Sequence, residues 1–507
     1  MKPTNDLYQL IDSLTANEKG YFKKYCLRNG EASSRNYIKL FDLVSSLKEY
    51  DENELKKKLK DSSILRNLSS EKNYLYHLIL ESLITSGSGQ SISSEMEHEM
   101  LKAKILAEKA FYESSRKFID KVIVYCKKAE NFNLWLDALD LEILLWPYLS
   151  VETKRSFEKI TEEKKNVVEN LMLTENARLF HWQIMQLFNV MGMGRTKEQL
   201  DKYEKVYKLN RKFYSENENK LPISAKIFCT NSEVFYFNVS GNLSASCEAL
   251  LKLITLIESE NEILSERMSL YISSINNLIL VLLYLVRNDE ALKQIEKLDN
   301  LKLTSLKGDS ALFVCRYNTR YELYSKTAKF EEAYELQKKF KQELENQKNN
   351  VALNFTIHIH YYSFRACFNV GKYKEALYWI NRILNSSKET VRQEVLSMAR
   401  ISEIVLHYEL GNSDILENLV SSASRYITKN DTLNEFEQVM LDFFRKGLEE
   451  NDVKKSFYGL REKIAALEQN MMEQRVFSYF DFMAWAESKI QNKPITEILK
   501  QKAETKT

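Results

Sequence analysis

Apolar positions along this chain recur every three or four residues, with polar residues between them, and this predicts helix after helix. Tyr37, Leu40, Phe41, Val44 and Leu47 trace one such face. Upstream, Thr15-x-x-Glu18 has the spacing of a capping box, ahead of an apolar group at Tyr21, Phe22 and Tyr25. A third helix is expected over Tyr74 to Leu83. The best-formed hairpin runs from His358 to Lys388, two helices of similar length separated by a break at Val370-Gly371-Lys372-Tyr373.

Cruder copies of that break recur, indexed by Leu243, Asn288, Phe330, Tyr373 and Ser413 at spacings of 45, 42, 43 and 40. Three residues beyond each come Ser246, Ala291, Ala333, Ala376 and Leu416, mostly small residues that let two helices approach closely. Leu250, Ile295, Ile380 and Val420 carry the apolar pattern onward. Thr196 with Gln199 marks an earlier copy and Val453 with Ser456 a later one, while Pro494 opens a terminal helix. Helix pairs at a fixed period of this order are the signature of an α-solenoid.

The segment Gly371-x-Tyr373-x-x-Ala376-Leu377-x-x-Ile380-x-x-Ile383-Leu384 resembles the second half of a tetratricopeptide repeat (TPR), and Phe330-x-x-Ala333 and Asn288-x-x-Ala291 are weaker matches. Phe364, Ile279 or Val234 stands where the first helix of that family carries a small residue. No proline closes each unit, and the period is 40–45 rather than 34. The resemblance implies an all-α, right-handed α-solenoid, clearest over 195–500, whose concave face binds a protein or peptide.

Composition supports helices. Only 12 Gly and 4 Pro in 507 residues leave too few turn residues for a β-rich fold. Pro3, Pro147, Pro222 and Pro494 each sit where a helix starts or stops. Residues 1–84 read as an N-terminal helical region and 95–507 as the repeat array. Between them, Thr85–Ser94 is Gly/Ser-rich, either a linker between domains or a loop within one array, with Ser94-x-x-Glu97 as the next cap.

The net charge of +2 gives no field toward nucleic acid or an anionic membrane. The start lacks a secretory pattern, the apolar run Leu278–Val286 is too short to span a bilayer, and six scattered cysteines read as reduced core thiols. A cytoplasmic location is expected.

No phosphate loop, dinucleotide fingerprint or nucleophile elbow is present. Gly192-Met-Gly194 reads as a helix end. His358 and His360, two apart, project to different sides of a helix and cannot share a metal; His77, His98, His181 and His407 have no partner at ligand spacing. Glu258, Glu260 and Glu262 read as a solvated face. Lys56, Lys57, Lys58 and Lys60 lie in a region of 14 basic and 12 acidic residues, a poor phosphate binder. No cofactor, metal or catalytic set is expected.

Superposing the breaks places Asn231, Asn276 and Asn318 twelve residues before Leu243, Asn288 and Phe330, at one position on three successive first helices. An amide offers both donor and acceptor, so such a ladder could hold peptide backbone. Tyr361 and Ile401 take that position next. Arg316, Arg320 and Arg365 lie close in register and could meet a carboxylate. The candidate peptide-binding set is therefore Asn231, Asn276, Asn318, Arg320, Tyr361 and Arg365. The expected function is a non-enzymatic scaffold or adaptor; the alternative is a peptide-sensing regulator whose N-terminal region binds nucleic acid, and an enzyme assembled from distant residues is a third reading.

Overall fold

A computed structural model describes residues 6–28, 34–47, 51–59, 65, 67–86, 92–301, 306–346, 353–386, 392–430, 432–446, 453–470 and 472–504. Among them every regular element is helical. The chain divides into two compact units, one of Met1–Glu95 with Thr304–Leu306 and Lys341–Val351, the other of the remaining residues. No helix among the described residues is long and apolar enough to cross a membrane.

The first unit holds α1 (Asp6–Ser13), α2 (Ala16–Arg28), α3 (Ser34–Ser45), α4 (Glu52–Lys58) and α5 (Leu68–Ser86). The capping box forms as its spacing requires. The Thr15 amide donates to the Glu18 carboxylate at 2.7 Å, and the Glu18 amide donates to Thr15 Oγ1 at 3.2 Å. The α3 stripe buries Leu40, Phe41 and Val44, with Phe41 against Phe22 of α2 at 4.6 Å between rings.

The larger unit begins within α6 (Ile92–Glu108), at Met96, and continues with α7 (Tyr112–Ala129), α8 (Phe132–Leu145), α9 (Phe157–Met191) and α10 (Lys197–Asn217). There follow α11 (Ile223–Ser240), α12 (Leu243–Glu258), α13 (Asn261–Glu266), α14 (Met268–Tyr284) and α15 (Asn288–Asp299). Next come α16 (Leu306–Lys326), α17 (Phe330–Asn346), α18 (Leu353–Asn369), α19 (Tyr373–Leu384) and α20 (Gln393–Glu409). The last are α21 (Ser413–Lys429), α22 (Glu435–Lys446), α23 (Val453–Glu468), α24 (Phe482–Gln491) and α25 (Ile495–Glu504). Pro147 sits in a 3-10 turn after α8, and Pro222 caps α11. Ser94 is not a cap. Helix α6 already starts at Ile92, so this serine lies inside the first turn and not at the cap. Thr85 and Ser86 likewise belong to α5, and 87–91 lie outside the described residues, as do Pro3, Lys60 and Lys388.

One turn recurs through the larger unit. Two residues before the start of α7, α8, α12, α15, α17, α19 and α21, the chain takes a left-handed residue: Ala110, Glu130, Gly241, Val286, Ala328, Gly371 and Gly411, with φ between 50° and 76°. In each, the next amide reaches back five residues, as Arg287 does to the Leu282 carbonyl at 2.9 Å and Lys372 to that of Cys367 at 2.9 Å. This is the Schellman closure, which satisfies the orphan carbonyls of the ending helix and turns the chain tightly into the next. The small residues three places into each second helix, Ser246, Ala291, Ala333 and Ala376, are buried at the crossing. Most helices pack on their chain neighbours: α11 on α12, α14 on α15, α18 on α19, α19 on α20 and α20 on α21. The core is aliphatic around α12 and α14 and aromatic toward the C-terminal end. All six cysteines are buried free thiols, and burial pushes Cys126 and Cys229 up to about 12.

Candidate functional site

The three asparagines do fall on first helices, α11, α14 and α16, but they do not form one ladder. Asn318 Nδ2 donates to Asn276 Oδ1 at 3.1 Å, and Asn276 Nδ2 donates to Asn277 Oδ1 at 3.1 Å. Asn231 stands apart, its amide nitrogen 3.4 Å from His181 Nε2 on α9. Asn231 and Asn276 are buried, whereas Asn318 is half-buried and its Oδ1 has no hydrogen-bond partner among the described residues. Helix packing therefore absorbs two of the three.

Below Asn318 on the same face of α16, one turn on, sits Glu322, which is 1% exposed. Its carboxylate faces Arg365 Nη1 of α18 at 3.6 Å and Lys326 Nζ at 3.9 Å, both longer than a charge-assisted hydrogen bond. Its charge, with burial, pushes the Tyr284 phenol well above its ordinary range; burial and then the same charge do so for Tyr362. Tyr284 keeps 43% of its surface open to solvent, with Lys326 Nζ 3.8 Å from its ring centroid. Arg320 does not point at a ligand. It donates to Asp299 at 2.6 Å, beside Arg316, which bonds the Asp299 carbonyl at 2.7 Å.

Tyr361 and Arg365 already hold a segment of chain, and it is the protein's own. Between α23 and α24 the residues Glu473–Asp481, including a 3-10 turn at Gln474–Ser478, run across α18. Arg365 Nη1 lies 3.4 Å from the Ser478 carbonyl, while Nη2 donates to Ser325 Oγ at 3.1 Å. The Tyr479 ring is 5.2 Å from Tyr361, and Phe480 lies 5.6 Å from Phe364 and 4.7 Å from Phe368. At the other end, Glu473 and Glu437 of α22 both bind Arg195, the residue preceding the Thr196 cap of α10. Burial works against that guanidinium's charge, but the two carboxylates outweigh it and raise its pKa. Gly192 belongs to this corner. Its φ of +62° ends α9 as the sequence suggests, and Glu394 packs where a Cβ would stand. Sequence reasoning missed Arg195, Glu322, Glu473 and Tyr479. Only Glu322, four residues after Asn318, carried a signal in its spacing.

A second cationic cluster lies between α9 and α14. Arg178 and Arg267 both stack on Phe228, 5.2 and 4.9 Å from its ring centroid, and Arg267 has no carboxylate within ion-pair distance among the described residues. Burial first, and then the charge of Arg178, lower the pKa of Arg267.

Among the described residues no three metal-ligating side chains converge. His360 is buried against Trp379 with both ring nitrogens unbonded, and His358 is exposed. Glu258 is bound by Lys297 at 2.6 Å and Glu262 by Lys128 at 3.5 Å, so both are structural ion pairs. Beside α9 a cleft of about 340 Å³ is lined by Lys127, Trp135, Glu162 and Asn166 and is open to solvent. Lys56 and Lys58 are paired at 2.8 Å with Glu52 and Glu54, one turn earlier on α4. Compared with known proteins, the sequence matches no family model, and no curated protein matches it significantly.

Proposed function

We propose that the chain is a non-enzymatic, TPR-like α-solenoid scaffold of the cytoplasm, which binds a protein segment along the face formed by its first helices. Three kinds of regularity support the array. The turns recur with one geometry. The second helices start at Leu243, Asn288, Phe330, Tyr373 and Ser413. Successive first helices also touch through side chains 41 or 42 residues apart: Asn276 with Asn318, Tyr321 with Ser363 at 3.3 Å and Tyr361 with Ser402 at 3.1 Å.

The observation that carries the binding reading is Arg365 at the Ser478 carbonyl. This face already receives a short 3-10 segment through side-chain contact to its backbone and aromatic contact to its rings. Peptide segments are recognised in this way, with backbone bonds for affinity and pockets for specificity. Asn318 of α16 lies half-buried on the neighbouring first helix and adds a side-chain amide to that face. In the N-terminal unit Lys56 and Lys58 are paired with carboxylates of their own helix, which favours the scaffold reading over a regulator that binds nucleic acid there.

The test is affinity capture from the source cell with three baits: wild type, Asn318→Ala/Glu322→Gln, and the exposed control Lys205→Ala on α10. A protein segment held by wild type and control, lost by the face variant, and rebinding the purified chain as a synthetic peptide is the expected result. Identical captures by all three baits would overturn the proposal.

A further inference from the structure

We propose that the solvent-facing seam of α9 pairs antiparallel with the same seam of a second copy of this chain, making the protein a concentration-dependent dimer. Helix α9 is 35 residues long, and one side of it is taken up by packing. Ile160 and Val167 enter the core shared with α8, while Ala177 and Ile184 face residues of α10 and α11. The opposite side carries Val168, Met172, Leu179, Trp182 and Val190, with Glu175 and Gln186 between them. These positions follow one another at steps of three or four, which draws a single seam along a helix. All five apolar residues are exposed, Trp182 by 66% and Val190 by 75%.

A solvated helix face has a different composition. In α10, the next helix, ten of 21 residues are charged. Over residues 170–191 of α9 the only charged side chains are Glu175 and Arg178. A long exposed stripe emptied of charge, and carrying Trp and Met, has the make-up of the centre of a protein interface.

The two charges point to a second copy as the occupant. Arg178 Nη1 binds Glu175 at 3.1 Å, and both side chains remain partly open to solvent. The seam is complementary to its own reverse. About a two-fold axis midway between Glu175 and Leu179, a second copy sets its Trp182 on Met172 and its Arg178 beside Glu175. Each carboxylate then lies between two guanidiniums, which offsets its loss of water. The ring against the thioether is a favourable contact, made twice per dimer. A parallel pairing would instead set Glu175 against Glu175. Size decides how tight the dimer is. From Val168 to Val190 the seam is about 33 Å long on a helix about 10 Å wide. That is well short of the about 800 Å² per partner of a lasting interface, so assembly is expected in the micromolar range.

Sedimentation velocity of the full-length chain between about 0.1 and 100 μM reads the assembly state. Wild type and the α10 control Lys205→Ala are expected to pass from monomer to dimer over this range. Trp182→Glu changes an exposed position and should raise the dissociation constant at least about hundredfold, because a two-fold interface counts each substitution twice. Glu175→Arg and Arg178→Glu are each expected to be monomeric alone, and their equimolar mixture to dimerise, since the two seams are then opposite in charge. Circular dichroism and a cooperative melt establish that each variant is folded. A wild-type chain that is monomeric throughout would overturn the proposal, and loss of a captured cellular protein by Trp182→Glu would then assign the seam to that partner. A dimer that Trp182→Glu leaves intact, or a mixture of the two charge variants that stays monomeric, would overturn it equally.

Discussion

Arg267 is the residue where the charge stands least compensated. Its guanidinium shares Phe228 with Arg178, donates to Ser224 Oγ at 3.2 Å, and is held by the fold in a place that disfavours its charge. The contact with the ring is attractive by about 0.5–2 kcal/mol, and repulsion with desolvation opposes it. Burial, and after it Arg178, outweigh the opposing charges of Glu130 and Glu266 and lower its pKa, so the fold gains little from this charge. Arg267→Gln is therefore expected to leave the melting temperature unchanged or raise it, and a loss of more than about 1 kcal/mol by urea denaturation would contradict the account. His360 offers the complementary case. Burial, and after it Arg382, lower its pKa to about 3, so the folded chain holds it neutral. The unfolded chain protonates it below the ordinary value near 6.5, so its contribution to stability is full above that pH and falls as the pH drops toward 3. One proton taken up on unfolding is about 1.4 kcal/mol per pH unit, or about 2 kcal/mol between pH 6.5 and 5. His360→Phe keeps a ring against Trp379 and should reduce that acid loss by this amount when wild type and variant are unfolded in urea at both pH values.

At the scale of elements, the left-handed turn explains both what was legible in the sequence and what was not. Five second-helix starts were readable from their common spacing, four of them with a small residue three places in and four with an apolar residue a turn later, the mark of a close helix crossing. The turn that precedes them was readable only where glycine fills it, at Gly241, Gly371 and Gly411. Ala110, Glu130, Val286 and Ala328 adopt the same φ without any residue-type signal, because the Schellman hydrogen bonds and the packing of both helices outweigh the local preference. The site was less legible than the fold. Spacing along one helix places Asn276 and Asn318 on a face, but it does not reveal that a segment some 160 residues downstream covers part of that face. The turn also makes a sharp prediction. Val286 is β-branched, 64% exposed and held at φ +60°, where an L-residue costs about 1–2 kcal/mol. Glycine there gives up little burial and costs about 0.5–1 kcal/mol in unfolded-state entropy. Val286→Gly should thus stabilise the chain by roughly 0.5–1 kcal/mol, while Gly371→Val at φ +75° should destabilise it by at least as much. Urea midpoints at constant slope measure both.

Across the larger unit, most contacts join neighbours in the chain, and such contacts form early and cost little loop entropy. Arg195 is one of the exceptions that tie distant parts together, reaching Glu437 and Glu473 across 242 and 278 residues. Its side chain is 10% exposed, and the two carboxylates are at 1% and 6%. Removing the cation strands both acids in the interior, so Arg195→Met should cost about 3–5 kcal/mol. Removing all three charges, as Arg195→Met/Glu437→Leu/Glu473→Met, replaces the cluster with apolar volume and should recover most of that loss. The kinetics separate this tie from an ordinary core contact. Closing so long a loop comes after the local hairpins have formed, so its loss should appear almost wholly as faster unfolding, with refolding little changed. Stopped-flow unfolding and refolding of Arg195→Met in urea reads this directly. A refolding limb slowed as much as the unfolding limb is accelerated would mean that the start of α10 and the segment after α23 meet before the helices between them have docked.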